Sequence, residues 1–336
     1  MANRRAQTIA RLLEQNTSLA IVRDFLKEQG LHHSAGSWEA LRTQRIFPYI
    51  NEGKLGVDEL ERLLIATEEF GKQHVFLFKC SKKTAKECLD ENRVKQILAD
   101  QGLSKIFSSS ALIENPAKIT FSDVRFDAVK NIRCLTIKFV EVRWSTEYVG
   151  ESVENNVITK TWRKISERAV SVVRLHEDGL LEFRVASHST SSKYENELKT
   201  IWELVEPFFP RKIFSEVSLS GAKNKILDEK SALKAKIRFF AAGLENDYGN
   251  SLKVAGSTDT DLADDDGVSE SVEKFREYDA SCERINFYFT YNEKSGIPRR
   301  DIHVLIGGMM NEFAIPANCI RDDYEYVLEE LRELNK

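Results

Sequence analysis

The chain has no Cys-x-x-Cys pair; its five cysteines, Cys80, Cys88, Cys134, Cys282 and Cys319, stand singly. An odd, scattered set excludes a closed disulfide framework and a thiolate zinc site, and predicts reduced, mostly buried thiols. No apolar run approaches the ~18 residues of a membrane-spanning helix. The basic start, Met1 to Arg5, leads into an amphipathic stretch with Ala6, Ile9, Leu12 and Leu13, not into a secretory apolar core. Neither Gly-x-x-x-x-Gly-Lys-Ser/Thr nor Gly-x-Gly-x-x-Gly occurs, so no phosphate-cradling loop is signalled. Gly307-Gly308 precedes Met309, Met310 and Asn311 and reads as a tight turn. His32 and His33 are adjacent, a spacing that does not converge on a helix, and there is no His-Glu-x-x-His or His-x-His. No cofactor and no resident metal are expected.

Charge is present but unevenly spread. Residues 1–120 carry 18 basic and 15 acidic side chains, residues 121–240 carry 21 and 17, and residues 241–336 carry 10 and 21. The net values of +3, +4 and −11 sum to the chain's −4. Such a layout suits a polyanion-facing body with an acidic end piece, in a reducing compartment: cytoplasmic, nucleoid or nuclear.

The fold class is α+β. Helical spacing runs through residues 1–113: Ile9, Leu12 and Leu13; then Leu19 to Leu26, capped by Thr17 or Ser18 and stopped at Gly30; then Trp38, Leu41 and Phe47, with Pro48 kinking or ending the helix; then Val57 to Phe70, interrupted by Gly71. Val75 to Phe78 fits either a buried strand or a helical turn, and a charged helix pair follows over 82–101. Residues 114–240 form the second predicted domain. Within it, residues 118–187 alternate as an antiparallel sheet of four or five strands with a bulge near Phe121–Val124, and a helix follows with Tyr194, Leu198, Ile201, Trp202 and Val205 inward. Lys223 to Arg238 fits helix or strand, and residues 246–267 have loop composition. Residues 241–336 read as a small acidic α+β domain. Its strands hold Ile285, Phe287 and Phe289, then Ile302, Val304 and Ile306, and its last helix runs from Ile320 to Leu334.

Chemistry-bearing patterns are thin. Asp259, Asp261, Asp264 and Glu270 loosely resemble a calcium loop, but Asp264 stands where the sharp-turn glycine belongs. Cys319 with His303, and Ser191 with His188, lack a strand–turn–helix nucleophile elbow. Asp123 or Asp127 with Glu141-Val142-Arg143 or Glu182-Phe183-Arg184 forms a degenerate nuclease pattern, with Arg in place of Lys. Basic features are stronger. Strand alternation puts Lys160, Trp162, Lys164, Ser166 and Arg168 on one face, where cations neutralise phosphates and an indole stacks on a base or sugar. Lys79, Lys82, Lys83 and Lys86 cluster at a predicted helix start, and Arg42 and Arg45 form a third patch.

The order of parts resembles the centromere protein N family, a pyrin-like helical domain followed by a β-rich domain. The similar stretch holds the helices Trp38–Ile50 and Val57–Phe78, through Glu68-Glu69-Phe70-Gly71-Lys72-Gln73-His74. It continues in the strands Ile132-Arg133-Cys134-Leu135-Thr136-Ile137 and Val142-Arg143-Trp144-Ser145-Thr146-Glu147-Tyr148. It covers roughly residues 1–190 and is a likeness of layout, without a diagnostic motif. It implies chromatin binding through basic side chains on the faces named above.

Together these features predict a non-catalytic DNA-binding or adaptor protein. Its body would contact double-stranded DNA or another nucleic acid, its acidic C-terminal domain a protein partner, and it would not contact a membrane. Two alternatives stand beside it: a protein-interaction scaffold subunit of a defence or genome-maintenance assembly, and a divergent metal-dependent nuclease.

Overall fold

The computed structural model describes residues 4–107, 110–188, 194–291, 293 and 296–336. Helices α1 (Arg4–Asn16), α2 (Leu19–Glu28), α3 (Trp38–Leu41), α4 (Phe47–Asn51) and α5 (Val57–Glu68) open the chain. Each of the longer ones turns an apolar stripe inward, and Ile9, Leu12, Leu13, Val22, Leu26, Leu41, Leu60 and Leu64 close into one small core. Ser18 and Ser37 cap α2 and α3 by accepting the backbone N–H groups of Ile21 and Ala40. Pro48 does not end its helix. A π-helical turn over Arg42–Ile46 joins α3 to α4 just ahead of Pro48, so the irregular turn in the ladder falls where Pro48 lacks an N–H, and the helix runs on to Asn51.

Strand β1 (Gly71–Lys79) follows α5 directly. Val75–Phe78 is therefore strand, and the helix that the family resemblance extends to Phe78 stops at Glu68. Gly71 makes the change of direction possible. It has φ +79°, and a Cβ there would meet the Cys319 backbone nitrogen at 2.4 Å. Two short helices come next, α6 (Lys82–Cys88) and α7 (Glu91–Asp100). They lead to β2 (Thr120–Val129), β3 (Ile132–Glu154), β4 (Val157–His176) and β5 (Leu180–Ala186). The sheet region over 118–187 thus holds four strands, and the β2 bulge falls between Phe121 and Asp123.

Helix α8 (Glu195–Val205), strand β6 (Ser215–Glu216), helices α9 (Ser220–Asp228) and α10 (Lys230–Leu233), and strand β7 (Ile237–Glu245) follow. The basic 223–238 stretch is accordingly helix first and strand last. The 246–267 stretch is not all loop. It contains β8 (Ser251–Ala255), whose Leu252 and Val254 pack on the core, and the start of α11 (Asp266–Arg276), capped by Asp265. Strands β9 (Ser281–Phe289), β10 (Ile302–Ile306) and β11 (Glu312–Asn318) and helix α12 (Arg321–Leu334) complete the chain.

Among the described residues all these strands form one antiparallel sheet in the order β2-β3-β4-β5-β1-β11-β10-β9-β7-β8, with β6 beside β1. β1, from the predicted helical region, sits between β5 and β11. The expected boundary near 240 therefore falls within β7 and the one near 113 in the connection before β2, and a single hydrogen-bonded sheet runs across both, so residues 241–336 do not form a sheet of their own. β1 alternates between two cores. Phe76 and Phe78 face α6, α7 and α8 on one side, and Val75 and Leu77 face α9 and α12 on the other.

Candidate interaction surface

β3 pairs with β2 only as far as Val140, and β4 pairs with β5 only over Val172–Leu175. Beyond these limits the two strands pair with each other alone, out to a turn at Asn155-Asn156. Both asparagines take positive φ, +49° and +63°, as a two-residue hairpin turn requires. The result is a two-stranded ribbon projecting ~40 Å at 3.3 Å per residue.

The ribbon has two unlike faces. On one lie Trp144, Thr146, Tyr148, Glu151 and Val153 of β3, opposite Ser166, Lys164, Trp162, Lys160 and Ile158 of β4. Tyr148 and Trp162 meet edge to face at 5.4 Å, and the Lys164 ammonium lies 4.2 Å over the Trp144 ring. An extra residue between Tyr148 and Gly150 is absorbed as a bulge, which keeps Glu151 and Val153 on this same face. The other face carries Ser145, Glu147, Gly150, Ser152 and Glu154 opposite Ile165, Arg163, Thr161, Thr159 and Val157; it is more polar, has no aromatic ring, and holds Ile165 and Val157 as its exposed apolar side chains. Trp144 is 61% and Trp162 56% exposed, and with Tyr148, Val153 and Ile158 on the same face they bring several large apolar side chains to water together. Over Trp144–Glu167, three cations (Lys160, Arg163, Lys164) face four carboxylates (Glu147, Glu151, Glu154, Glu167).

The ten predicted contact residues do not converge. Lys160, Trp162 and Lys164 share the ribbon face. Arg168, at its root, is buried and donates to the Glu68 carboxylate and, at 2.8 Å, to the Ile113 carbonyl. Lys79, Lys82, Lys83 and Lys86 are exposed at the opposite end of the strands, where Lys79 pairs with Leu180 and Lys86 lies 3.4 Å from Glu177. From His176 out to Lys160 is ~50 Å along β4. Arg42 pairs with Glu14, and Arg45 donates to the carbonyls of Ser34 and Gln44, at 3.2 and 3.0 Å.

A second constellation was not legible as such. The sheet face opposite α6, α7 and α8 carries a buried ionic layer. Arg125 donates to Glu69 at 2.9 and 2.7 Å and also pairs with Asp123 and Asp127. Lys138 donates to Glu68 at 2.5 Å, and Arg174 to Glu325 at 2.7 Å and to Thr136 at 3.1 Å. Glu182 bonds His176 and accepts from the Tyr324 hydroxyl at 2.5 Å. Arg184 lies over the Phe70 and Tyr324 rings, at 4.8 and 4.9 Å. Burial alone would raise Glu69, but Arg125 and Lys138 outweigh it and hold the carboxyl down at about 2. Burial likewise opposes charge on His176, yet Glu182 and Cys134 raise it to about 10. The available signal was a lone charge inside an apolar run, as at Lys138 in Leu135–Val140 and Arg174 in Val170–Leu175.

This layer engages the carboxylates of the nuclease pattern: Asp123 and Asp127 on Arg125, Glu182 on His176 and Tyr324. Glu141, outside it, pairs with Arg143 at 2.7 Å. No group of three or more His, Cys, Asp and Glu side chains that could hold a metal ion occurs among the described residues. In the calcium-like stretch Asp261 caps the backbone of Ala263 and Phe239, and Asp264 pairs with Lys234. His303 packs on Tyr288 and Phe240 and bonds Asn286, while Cys319 is buried and its thiol pushed far up by desolvation. His188 bonds Glu197 at 2.8 Å, and Ser191 lies outside the described residues. A cavity of about 580 Å³ between α2, α5 and the start of α12 mixes Arg62, Arg299, Arg300 and Arg321 with five carboxylates, so no single charge dominates it. No described helix is long and apolar enough to cross a membrane. Compared with known proteins, the chain matches no family model and no curated relative.

Proposed function

We propose that this chain is a non-catalytic interaction subunit, an adaptor that engages its partner through the aromatic face of the β3–β4 ribbon. The observation that carries this reading is the ribbon itself: a projecting strand pair with one aromatic, apolar face turned to solvent. Ordering and exposing such a face has a cost in solubility and aggregation that a covered interface removes. Aromatic residues with few competing charges are also what the core of a protein interface is made of. The test replaces residues 144–166 by Asn-Gly, joining the paired Arg143 and Glu167, and compares it with Trp162→Ala. A partner recovered with the tagged wild-type chain is lost with the shortened ribbon and reduced with Trp162→Ala, while circular dichroism is unchanged. Equal recovery with all three proteins sinks the reading.

A second reading, nucleic-acid binding, is favoured by one specific arrangement: Trp162 lies between Lys160 and Lys164 on the same face. The resemblance to the centromere protein N family points the same way. The charge balance of the ribbon argues for a modest phosphate contribution. On this reading duplex DNA binds at low salt and affinity falls steeply as salt is added. Lys160→Glu with Lys164→Glu abolishes it. An unchanged gel shift with that double variant removes this face as the binding site, and the lack of any shift with wild type at low salt removes nucleic acid as the partner.

A further inference from the structure

Far from the ribbon, three rows of side chains cross β7, β9 and β10. They lie on the sheet face that α6, α7 and α8 cover farther along, above β1 and β5. Arg238, Tyr288 and His303 form the first row. Asn286 and Leu305 form the second, with Phe240 beside them at the β7 bulge. Gly243 and Arg284 form the third, extended by Lys253 of β8. The other face of the same strands sends Phe239, Ile285, Phe287 and Val304 into the core under α9 and α12. Phe240, Tyr288 and Leu305 join no core and stay half-buried. The rings of Phe240, Tyr288 and His303 stand 5.2 to 5.3 Å apart, centre to centre, and the Arg238 guanidinium lies 4.8 Å over Tyr288. Clustered rings on an uncovered sheet make a platform on which unpaired bases stack. We propose that this face binds a single-stranded nucleic acid, its bases on Tyr288 and Phe240 and its phosphates on Lys253 and Arg284. The proposal is independent of what the ribbon engages.

The charge of the C-terminal third does not oppose this, because it is segregated. Nine of the 21 carboxylates in residues 241–336 stand on α11 and α12, and both helices pack on the opposite face. The three rows hold three cations and no carboxylate. At their margins, Asp301 pairs with Arg238 at 2.9 Å, and Glu245 and Glu283 stand past the third row. Lys253 and Arg284 are exposed and carry no salt bridge among the described residues. They sit two strands apart, about 10 Å, and Arg284 is about 14 Å along β9 from Tyr288. That span suits two or three nucleotides, as other four-stranded sheets accept. Burial lowers His303 from its ordinary value, so a neutral ring joins the stack. Its Nε2 donates to the Asn286 side-chain oxygen at 3.2 Å, which leaves the Asn286 amide N–H groups for a base edge. A duplex keeps its bases stacked on one another and cannot use the rings.

The full-length chain is titrated into a short fluorescein-labelled oligothymidylate, and anisotropy is followed as salt is added. Wild type binds at low salt, weakens with salt, and prefers the single strand to a duplex of equal length. Tyr288→Phe keeps the ring and binds as wild type does. Tyr288→Ala weakens binding about 5- to 150-fold, the measure of one lost stack. Lys253→Glu with Arg284→Glu abolishes binding and leaves circular dichroism unchanged. Lys160→Glu with Lys164→Glu, on the ribbon, leaves binding intact. A wild type that binds no single strand at low salt overturns the proposal and leaves the face to a protein. Equal binding by Tyr288→Phe and Tyr288→Ala overturns it too, as does full binding by the Lys253 and Arg284 double variant. A loss that follows the ribbon charges moves the nucleic acid to the ribbon, and a preference for duplex removes stacking. Either result also sinks the proposal.

Discussion

The guanidinium of Arg168, on β4, lies against the carboxylate of Glu68, at the end of α5 and 100 residues earlier in the chain. Glu68 also accepts from Lys138, so one buried carboxylate holds two strands of the sheet to the helical region. Removing one member of a buried ionic cluster leaves the others uncompensated, which costs about 3–5 kcal/mol. Glu68→Gln keeps the shape and removes the charge. Urea unfolding followed by circular dichroism should show a loss of that size, and a loss below ~1 kcal/mol would mean that water reaches the cluster and relieves it.

Stability should fall as the solution is made alkaline. His176 titrates near 6.5 when unfolded and at about 10 in the fold. A raised folded value means that the contribution is complete below about 6.5 and fades as the pH rises through about 10. The difference in unfolding free energy between wild type and His176→Gln is therefore expected to shrink between pH 7 and pH 10. A constant difference would show that His176 is neutral in the native protein.

Acid should act through Glu69. Its folded value of about 2 lies below the ordinary 4.5, so its contribution is complete above about 4.5 and is lost as the pH falls toward 2. Glu69→Gln should be destabilised at neutral pH by a few kcal/mol and should show a flatter acid limb in thermal melts. Identical acid limbs in the two proteins would assign acid unfolding to other carboxylates.

The ribbon should be dispensable for the body. Residues 144–166 pair only with one another, so replacing them by Asn-Gly is expected to move the stability of the rest by no more than ~1 kcal/mol. Calorimetry on the shortened chain checks this, and a loss of several kcal/mol would tie the ribbon to the core.

The thiols should resist labelling. Desolvation raises Cys80 and Cys282 to about 11, and Cys88 is also raised. A disulfide reagent at pH 8 should modify the native protein slowly and Cys80, the least buried, first. Rapid reaction of more than one thiol in the native state would contradict the packing.

Local pattern sufficed for much of this. Period-two alternation located β9, β10 and the inner half of β3, and helical spacing located α1, α2, α5, α8 and α12, because in each the apolar side meets a core whatever its partner is. Val75–Phe78 resisted for the opposite reason. A strand buried on both faces has no alternation to display, and its identity was settled by β5 and β11 on either side. Residues 251–255 were hidden by polar neighbours that fill the turns around them.

The stretch Lys160 to Arg168 marks where local information ends. Alternation alone put Lys160, Trp162, Lys164 and Arg168 on one face, and they share it. Which of them meets water depended on events far away in the chain. α5 arrives with Glu68 and closes over Arg168, while β2 and β5 stop short and leave Trp162 uncovered. A side chain's direction is a property of its own backbone, and so is written in the sequence around it. Its surroundings are supplied by segments a hundred residues distant, and only the folded chain brings those together.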